Sequence, residues 1–303
     1  MPDTDTLLSN CILCPRECGV NRINGATGYC GVGAELIVAR AALHLWEEPC
    51  ISGTMGSGTV FFGGCNLKCL FCQNHSIAIG DCGQKITVER LSEIFLNLQQ
   101  KGAANINLVT PTHFIPQIRD ALNLAKAQGL TLPIVYNTGG YEKPETLKLL
   151  EGLVDIYLPD LKYYSGELSA SYSHAPDYFT HACLALQEMY RQVGDPCFDL
   201  KSGLMQKGIL VRHLLLPGQT KDSKKILRYL FETYGNRIYI SIMNQYTPLS
   251  HVAHLPELNR PVTTEEYDRV VNFALRLGIE NAFIQEGETA TESFIPPFDL
   301  EGV

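Results

Sequence analysis

Three cysteines stand within eight residues in the segment Cys65–Cys72, directly after a short apolar run and the Gly63–Gly64 pair. Soft metals and iron–sulfur clusters prefer thiolate ligands, and the usual complement of a cubane cluster is four cysteines. This segment supplies three, so a cubane bound here would keep one iron open to another molecule. The alternative is three cysteines that pack as small hydrophobic side chains. The glycines before the segment and the polar residues 73–75 after it disfavour that alternative.

A second group of cysteines precedes this segment. Cys11, Cys14, Cys18 and Cys30 lie within twenty residues. Four thiolates suit a closed structural zinc site and would equally hold a second iron–sulfur cluster, and spacing alone does not separate the two. Residues 10–33 carry too little apolar sequence for a core of their own, so a metal would supply the ordering energy. The alternative is four free cysteines in a loop, where exposed thiols oxidise readily.

Length and composition exclude several classes of protein. The chain has 303 residues, 45% of them hydrophobic, which allows one large barrel-type domain or two modest ones. It contains no apolar run of membrane-spanning length and no signal-peptide pattern at the N-terminus, so we predict a cytoplasmic protein without a membrane partner. A formal net charge of −8 argues against a nucleic-acid partner. The cysteine count of eleven is odd, which favours metal binding over disulfides. The four isolated cysteines are interpreted as packing residues; they are Cys50, Cys82, Cys183 and Cys197.

Apolar strand patterns alternate with helical patterns after the cysteine segment, which is typical of βα units and a parallel sheet. The predicted strands are Thr59–Phe62, Ile106–Val109, Pro133–Tyr136, Val154–Leu158, Ile209–Leu216, Ile238–Ile242 and Ala282–Ile284. We therefore predict the α/β class: a partial (β/α)6 TIM-like barrel of parallel strands with an N-terminal cysteine-rich extension. Residues 1–57 are assigned to the extension and residues 58–303 to the barrel.

Polar residues follow almost every predicted strand. Barrel active sites lie at the C-terminal ends of the strands, so we expect these residues to meet at one rim. A parallel sheet that is not a barrel would also bring its strand ends together. The segments concerned are 65–72, Thr110–His113, Asn137–Gly140, Asp160–Lys162, Arg212–His213, Asn244–Tyr246 and Gln285–Glu286.

The pattern Cys-x3-Cys-x2-Cys, with Phe71 before the last cysteine, resembles the cluster loop of the radical S-adenosylmethionine superfamily. The segment from Cys11 to Cys30 resembles the N-terminus of a branch of proteins similar to pyruvate formate-lyase activating enzyme. The resemblance implies an oxidoreductase with a 4Fe-4S cluster on Cys65, Cys69 and Cys72, whose open iron binds S-adenosylmethionine. An electron from the cluster would cleave the sulfonium to a 5′-deoxyadenosyl radical. It also implies an external reductant such as flavodoxin or ferredoxin.

The resemblance further implies a set of cofactor-binding residues at the strand ends. They are Thr110, Thr112, Asn137, Thr138, Asp160, Lys162 and Arg212. Two positions depart from the family pattern: Thr110 and Thr112 stand in place of a Gly-Gly-Glu segment, and Asn137 replaces an acid. Four of these positions also have a structural alternative. Thr112 could cap the next helix, Asp160 and Lys162 could form an exposed ion pair, and Arg212 could pair structurally instead of binding the cofactor carboxylate as a fork.

The function implied is a radical enzyme that abstracts hydrogen from a substrate which the residues do not identify. Activation of a glycyl radical enzyme is the leading expectation. Modification of a different protein, an RNA or a metabolite is the alternative. A non-catalytic zinc or iron–sulfur protein for electron transfer or scaffolding is the rival from another class, but such a protein would not need an open iron.

Overall fold

The structure is a computed structural model that describes residues 2–80, 82–285 and 296–303. In chain order the strands are β1 (Leu36–His44), β2 (Ser57–Phe62), β3 (Gln84–Ile86), β4 (Ile106–Val109), β5 (Ile134–Thr138), β6 (Ile156–Pro159), β7 (Cys197–Phe198), β8 (Met205–Leu214), β9 (Tyr239–Met243) and β10 (Ala282–Ile284). The helices are α1 (Thr4–Ser9), α2 (Pro49–Ser52), α3 (His75–Ile79), α4 (Val88–Gln100), α5 (Ile115–Ala127), α6 (Pro144–Leu147), α7 (Gly166–Ser173), α8 (Tyr178–Val193), α9 (Thr220–Tyr234) and α10 (Thr264–Leu277).

The strands form one mostly parallel sheet in the order β10-β9-β8-β6-β5-β4-β2-β1-β3, with β7 paired to β8. From β10 to β2 every neighbouring pair is parallel, and β1 is antiparallel to both β2 and β3. The described strands do not close the sheet, because β10 and β3 are its two ends. The predicted partial barrel of parallel strands is therefore confirmed.

The helices on the outside follow the capping and periodicity that the sequence predicts. Thr87 accepts a hydrogen bond from the Arg90 amide at 3.1 Å and starts α4, whose buried face packs on the sheet. Thr263 and Glu266 form a capping box at the start of α10. None of the described helices combines the length and the apolar composition that a bilayer crossing requires.

Alternate residues of the parallel strands point into the barrel, because successive side chains of a strand face opposite sides of the sheet. Val135, Leu158 and Leu210 pack together there with Cys50 and Ile51 of α2. The short segment before β2 thus fills the barrel interior. Although the sequence grouped residues 36–57 with the extension, β1 is a strand of the barrel sheet. The apolar pattern of β1 predicts a strand but does not show that it pairs with β2 in the barrel sheet.

The cysteine-rich segment covers the C-terminal ends of β2 and β4. Arg22 is 1% exposed and donates hydrogen bonds to the carbonyls of Gly33 and His113. Gly64 has φ of 84°, and a Cβ at this residue would lie 2.8 Å from the Cys30 carbonyl oxygen. A side chain at residue 64 would therefore push the segment away from the strand ends, which explains the glycine in physical terms.

Candidate active site

A cavity of about 210 Å3 opens at the C-terminal ends of the parallel strands. All three cysteines of the segment Cys65–Cys72 line it, together with six of the seven predicted cofactor residues: Thr110, Asn137, Thr138, Asp160, Lys162 and Arg212. These side chains come from five different strand ends and meet in one place, which is the arrangement expected of a barrel active site.

The cysteine loop holds its thiols in a largely desolvated setting. Cys69 is 7% exposed, while Cys65 and Cys72 are partly open. Burial, followed by the neighbouring Cys69 thiol, raises the pKa of Cys65 and raises that of Cys72 to about 12. The amides of Leu67 and Lys68 point at the Cys65 sulfur from 3.4 and 3.5 Å. The thiols of Cys65 and Cys72 are therefore protonated without a metal, and metal binding to them must release protons.

This donor set fits a 4Fe-4S cluster. Three thiols face one cavity, and the pKa of each of Cys65 and Cys72 responds to its neighbouring thiols. In the described part of the chain, no group of three or more His, Cys, Asp or Glu residues is placed to hold a single metal ion. A cubane needs no such convergence, since each thiolate binds a different iron.

A charged network also lines the cavity. Asp160 accepts from Lys162 Nζ at 2.5 Å and from Arg212 Nε at 3.0 Å. Arg212 also donates to Asn137 Oδ1 at 2.6 Å and lies 3.4 Å from Glu47 Oε2. Burial would raise the pKa of Asp160, but Arg212 and Lys162 hold it below its ordinary value. The predicted pair of Asp160 and Lys162 is thus part of a partly buried network and not an exposed ion pair.

Arg212 lines the cavity, but its three guanidinium nitrogens already contact Asp160, Glu47 and Asn137. Lys162 has a simpler setting. Burial would lower the pKa of Lys162, but Asp160 and then Cys69 outweigh it, so the ammonium stays charged at the cavity wall. Of the two cations, Lys162 therefore has the donors better placed for an anionic ligand, and a fork from Arg212 to the cofactor stays a prediction.

Thr110 lines the cavity with φ of 57°, a conformation that β-branched residues rarely adopt. Its amide donates to the Asn137 carbonyl at 2.9 Å. Such strain persists only where the surroundings hold it, and it is commonest at functional sites, at a cost of roughly 1–3 kcal/mol.

Thr112, the seventh predicted cofactor residue, is not among the described residues that line the cavity. It is 1% exposed, and its hydroxyl donates to Glu142 Oε1 at 2.5 Å. The helix-capping alternative is not observed either, since the N-cap of α5 is Phe114 without a side-chain bond.

Glu142 is a buried carboxyl that the sequence did not single out. It is fully buried, and Thr138 also donates to Oε1, which links Glu142 to the cavity wall. Burial raises the pKa of Glu142 to about 7 despite the two threonine donors. The sequence around Glu142 does not predict its burial or its raised pKa, because the residues that surround Glu142 belong to strand ends that are distant in sequence.

The four N-terminal cysteines share one neighbourhood. Burial raises the pKa of Cys14 to about 12, and the nearby thiols of Cys30 and Cys11 add to this effect. Burial also raises the pKa of Cys30, with smaller contributions from Cys11 and Cys18. The Tyr29 amide lies 3.3 Å from the Cys18 sulfur. The predicted grouping in sequence is therefore also a grouping in space.

This N-terminal segment contacts the cysteine loop of the cavity directly. Arg16 Nε donates to the Asn66 carbonyl at 2.9 Å, and the Tyr29 hydroxyl donates to the Leu67 carbonyl at 3.3 Å. The Arg16 guanidinium lies 3.9 Å from the centre of the Tyr29 ring. The segment with the four N-terminal cysteines therefore packs directly against the cysteine loop of the cavity.

The structure also places residues at the site to which the sequence assigned no definite role. Met243 and Gln245 line the cavity, which agrees with their position after a predicted strand. His75 starts α3 and stacks on His251 with ring centres 4.4 Å apart. Ser173 belongs to α7, which the sequence did not predict, and its hydroxyl donates to Cys69. Glu286 lies outside the described residues.

Comparison with known proteins is consistent with this site. The family model described as the Radical SAM superfamily matches residues 59–230, more than half of the chain. An uncharacterized protein of Methanocaldococcus jannaschii is 26% identical over 284 residues, which is 90% of this chain and 77% of that protein.

Two solved structures illustrate the structural similarity. The X-ray structure of the FeFe-hydrogenase maturase HydG from Carboxydothermus hydrogenoformans aligns with a TM-score of 0.50 at 13% identity, covering 78% of this chain and 56% of that one. A domain of pyruvate-formate lyase-activating enzyme from Bacteroides vulgatus covers 57% of this chain and 92% of that one, with 15% identity and a TM-score of 0.39. The second score is too low to argue for a branch, and the first supports the fold alone.

Proposed function

Because the chain belongs to the radical SAM superfamily, we propose that it binds a 4Fe-4S cluster through Cys65, Cys69 and Cys72 and S-adenosylmethionine in the adjoining cavity. The observation that carries this proposal is that the three thiols and the polar strand ends line the same cavity. When bound, the cluster supplies the electron that cleaves the sulfonium of S-adenosylmethionine, which starts hydrogen abstraction from the substrate.

The residues of this chain bind and orient the cofactor. The Lys162 ammonium, beside the thiols, is placed for the carboxylate of S-adenosylmethionine. Thr110 and Thr138 offer oxygen acceptors for its amino group. Asp160 and Arg212 hold Lys162 and Asn137 in position through the partly buried network. Thr112 acts from behind through Glu142 rather than by direct contact.

We propose activation of a glycyl radical enzyme as the leading specific function, on the resemblance alone. Modification of another protein, an RNA or a metabolite is the alternative within the same chemistry. A non-catalytic iron–sulfur or zinc protein is disfavoured, because an electron carrier needs no cavity with an ammonium beside a three-thiol loop. The reductant, such as flavodoxin or ferredoxin, and a cytoplasmic location stay predictions.

The direct test is anaerobic reconstitution with iron and sulfide, followed by reduction with dithionite. We expect a brown protein that releases 5′-deoxyadenosine from S-adenosylmethionine, measured by chromatography. A sample without dithionite controls for spontaneous breakdown of the cofactor. A reconstituted protein with a cluster but no 5′-deoxyadenosine above that control would contradict the enzyme proposal and favour the electron-transfer alternative.

We also propose that Cys11, Cys14, Cys18 and Cys30 hold a second metal site, either zinc or iron–sulfur. Its support is the shared neighbourhood of the four thiols, which lie beside the cysteine loop. Among the described residues no three of these thiols converge closely enough to hold a single ion, so zinc binding would have to draw them together. Such a site would order a segment that has little core of its own.

Metal analysis of a variant in which Cys65, Cys69 and Cys72 are all alanine tests the second site. We expect about one zinc or about four irons to remain per chain, because four thiolates complete either centre. The matched variant adds Cys11→Ala and Cys14→Ala and should lose this metal. A triple variant that binds neither metal would refute the second site.

A further inference from the structure

A buried pair of hydroxyl groups ends on one sulfur of the cysteine loop. Ser173 Oγ lies 2.9 Å from Cys69 Sγ, and Tyr163 Oη lies 2.6 Å from Ser173 Oγ. Both Ser173 and Tyr163 have no exposed surface. The pair belongs to the end of α7 and to the segment after β6, neither of which carries a cysteine of the loop.

The direction of these hydrogen bonds follows from proton count. A thiolate ligand has no proton and can only accept. Ser173 has one hydroxyl proton, which it must give to Cys69, so its oxygen accepts from Tyr163. Two donors in series strengthen one another in a low-dielectric interior. The Cys65 sulfur, in contrast, receives only longer contacts from backbone amides, at 3.4 and 3.5 Å.

The end of α7 is held in place by other contacts. The Leu70 amide donates to the Tyr172 carbonyl at 2.9 Å, which joins α7 to the cysteine loop. Arg16 Nη2 donates to the Ser173 carbonyl at 3.0 Å. Because these bonds fix the backbone of Ser173, its hydroxyl is aimed at Cys69 before any cluster binds.

We propose that Ser173, backed by Tyr163, sets the reduction potential of the cluster through the Cys69 thiolate. The proposal rests on the proposed function, since it requires a cluster on Cys65, Cys69 and Cys72. Reduction adds negative charge that spreads onto the ligand sulfurs, so a donor to sulfur stabilises the reduced cluster more than the oxidised one. Ser173 acts through Cys69 and is a positioning residue.

The test is the midpoint potential of the reconstituted cluster, measured by a redox titration followed by electron paramagnetic resonance. For Ser173→Ala we expect the ratio of reduced to oxidised cluster at a given potential to fall about tenfold, which is a shift of the midpoint potential by ~59 mV for one electron. Tyr163→Phe should shift the potential in the same direction by less, and Ser173→Thr should restore it. Ser169→Ala is the matched control on the same helix. Ser169 is also buried, but its hydroxyl donates to the Gly166 carbonyl and not to a cysteine. The cluster of Ser169→Ala should therefore have the same midpoint potential as the wild type.

A second readout follows the proton itself. In deuterated buffer the Ser173 hydroxyl exchanges its proton for a deuteron. Pulsed electron paramagnetic resonance of the reduced wild type should detect this deuteron near the cluster, and the signal should be missing in Ser173→Ala. Equal potentials in the wild type, Ser173→Ala and Tyr163→Phe would overturn the inference, as would an equal shift in Ser169→Ala. If Ser173→Ala does not load a cluster, Tyr163→Phe decides, and an unshifted potential there overturns the inference. A wild type that binds no cluster would instead overturn the proposed function, which keeps the two failures distinct.

Discussion

The Cys69→Ala variant is expected to lose reductive cleavage of S-adenosylmethionine and most of its cluster iron. Cys69 is the most buried of the three thiols in the cavity, and it accepts the hydrogen bond from Ser173. Changes to residues that only support metal ligands already cost roughly 10- to 100-fold in affinity or activity. Loss of a ligand should therefore exceed about 100-fold in 5′-deoxyadenosine formation. Iron content, the visible absorbance of the cluster and the rate of product release measure this.

Cys197→Ala is the matched control, because Cys197 is an exposed thiol on β7, a strand that is not part of the cavity. We expect this variant to keep its iron and its activity. Iron content and product release in Cys69→Ala close to those of Cys197→Ala would contradict the cluster assignment. A loss in both variants would point to general damage by reconstitution instead.

The Arg212→Met variant is expected to be less stable by roughly 1–4 kcal/mol at neutral pH, because it leaves the partly buried acids Asp160 and Glu47 with one fewer cation, a setting between an exposed and a fully buried ion pair. Arg212 contacts acceptors on β5, directly after β6 and in the segment before α2, so one substitution disturbs several elements. Denaturant unfolding under anaerobic conditions measures the free energy. The affinity for S-adenosylmethionine should also fall, because the network holds Lys162.

The pH dependence of this loss has a definite sign. Arg212 and Lys162 lower the pKa of Asp160 in the folded protein, so the stabilisation is present above the unfolded pKa near 4 and is lost as pH falls through the folded pKa. The difference between the wild type and Arg212→Met should therefore shrink as Asp160 becomes neutral below about pH 4.

Arg90→Met is the control for this second prediction. Arg90 pairs with Glu93 on the surface of α4, and such pairs contribute only about 0–1 kcal/mol. A stability loss in Arg212→Met no larger than in Arg90→Met would show that the ion pairs of Arg212 contribute no more than a surface pair. It would favour the alternative in which Arg212 binds the cofactor carboxylate.

Local sequence patterns predicted most of the barrel. The seven parallel strands and the long helices follow from apolar periodicity, from caps such as Thr87, and from glycines that end helices. The missed elements are short or depend on distant partners. The segment after Asp160 reads as a polar linker, yet it forms α7, whose end packs on the cysteine loop. Nothing within that segment encodes this contact.

The sequence by itself indicated the candidate ligands and the rim on which they meet. Three cysteines on one loop and polar residues after parallel strands predict a metal site at the C-terminal strand ends, because strand direction and side-chain chemistry are local properties. Only the tertiary structure decided how those residues are used. It engages Arg212 with Asp160, Glu47 and Asn137, places Thr112 behind the wall on Glu142, and aims Ser173 at Cys69. Burial and hydrogen-bond partners come from elements far apart in the chain, and they set the charges and the donors that a ligand meets.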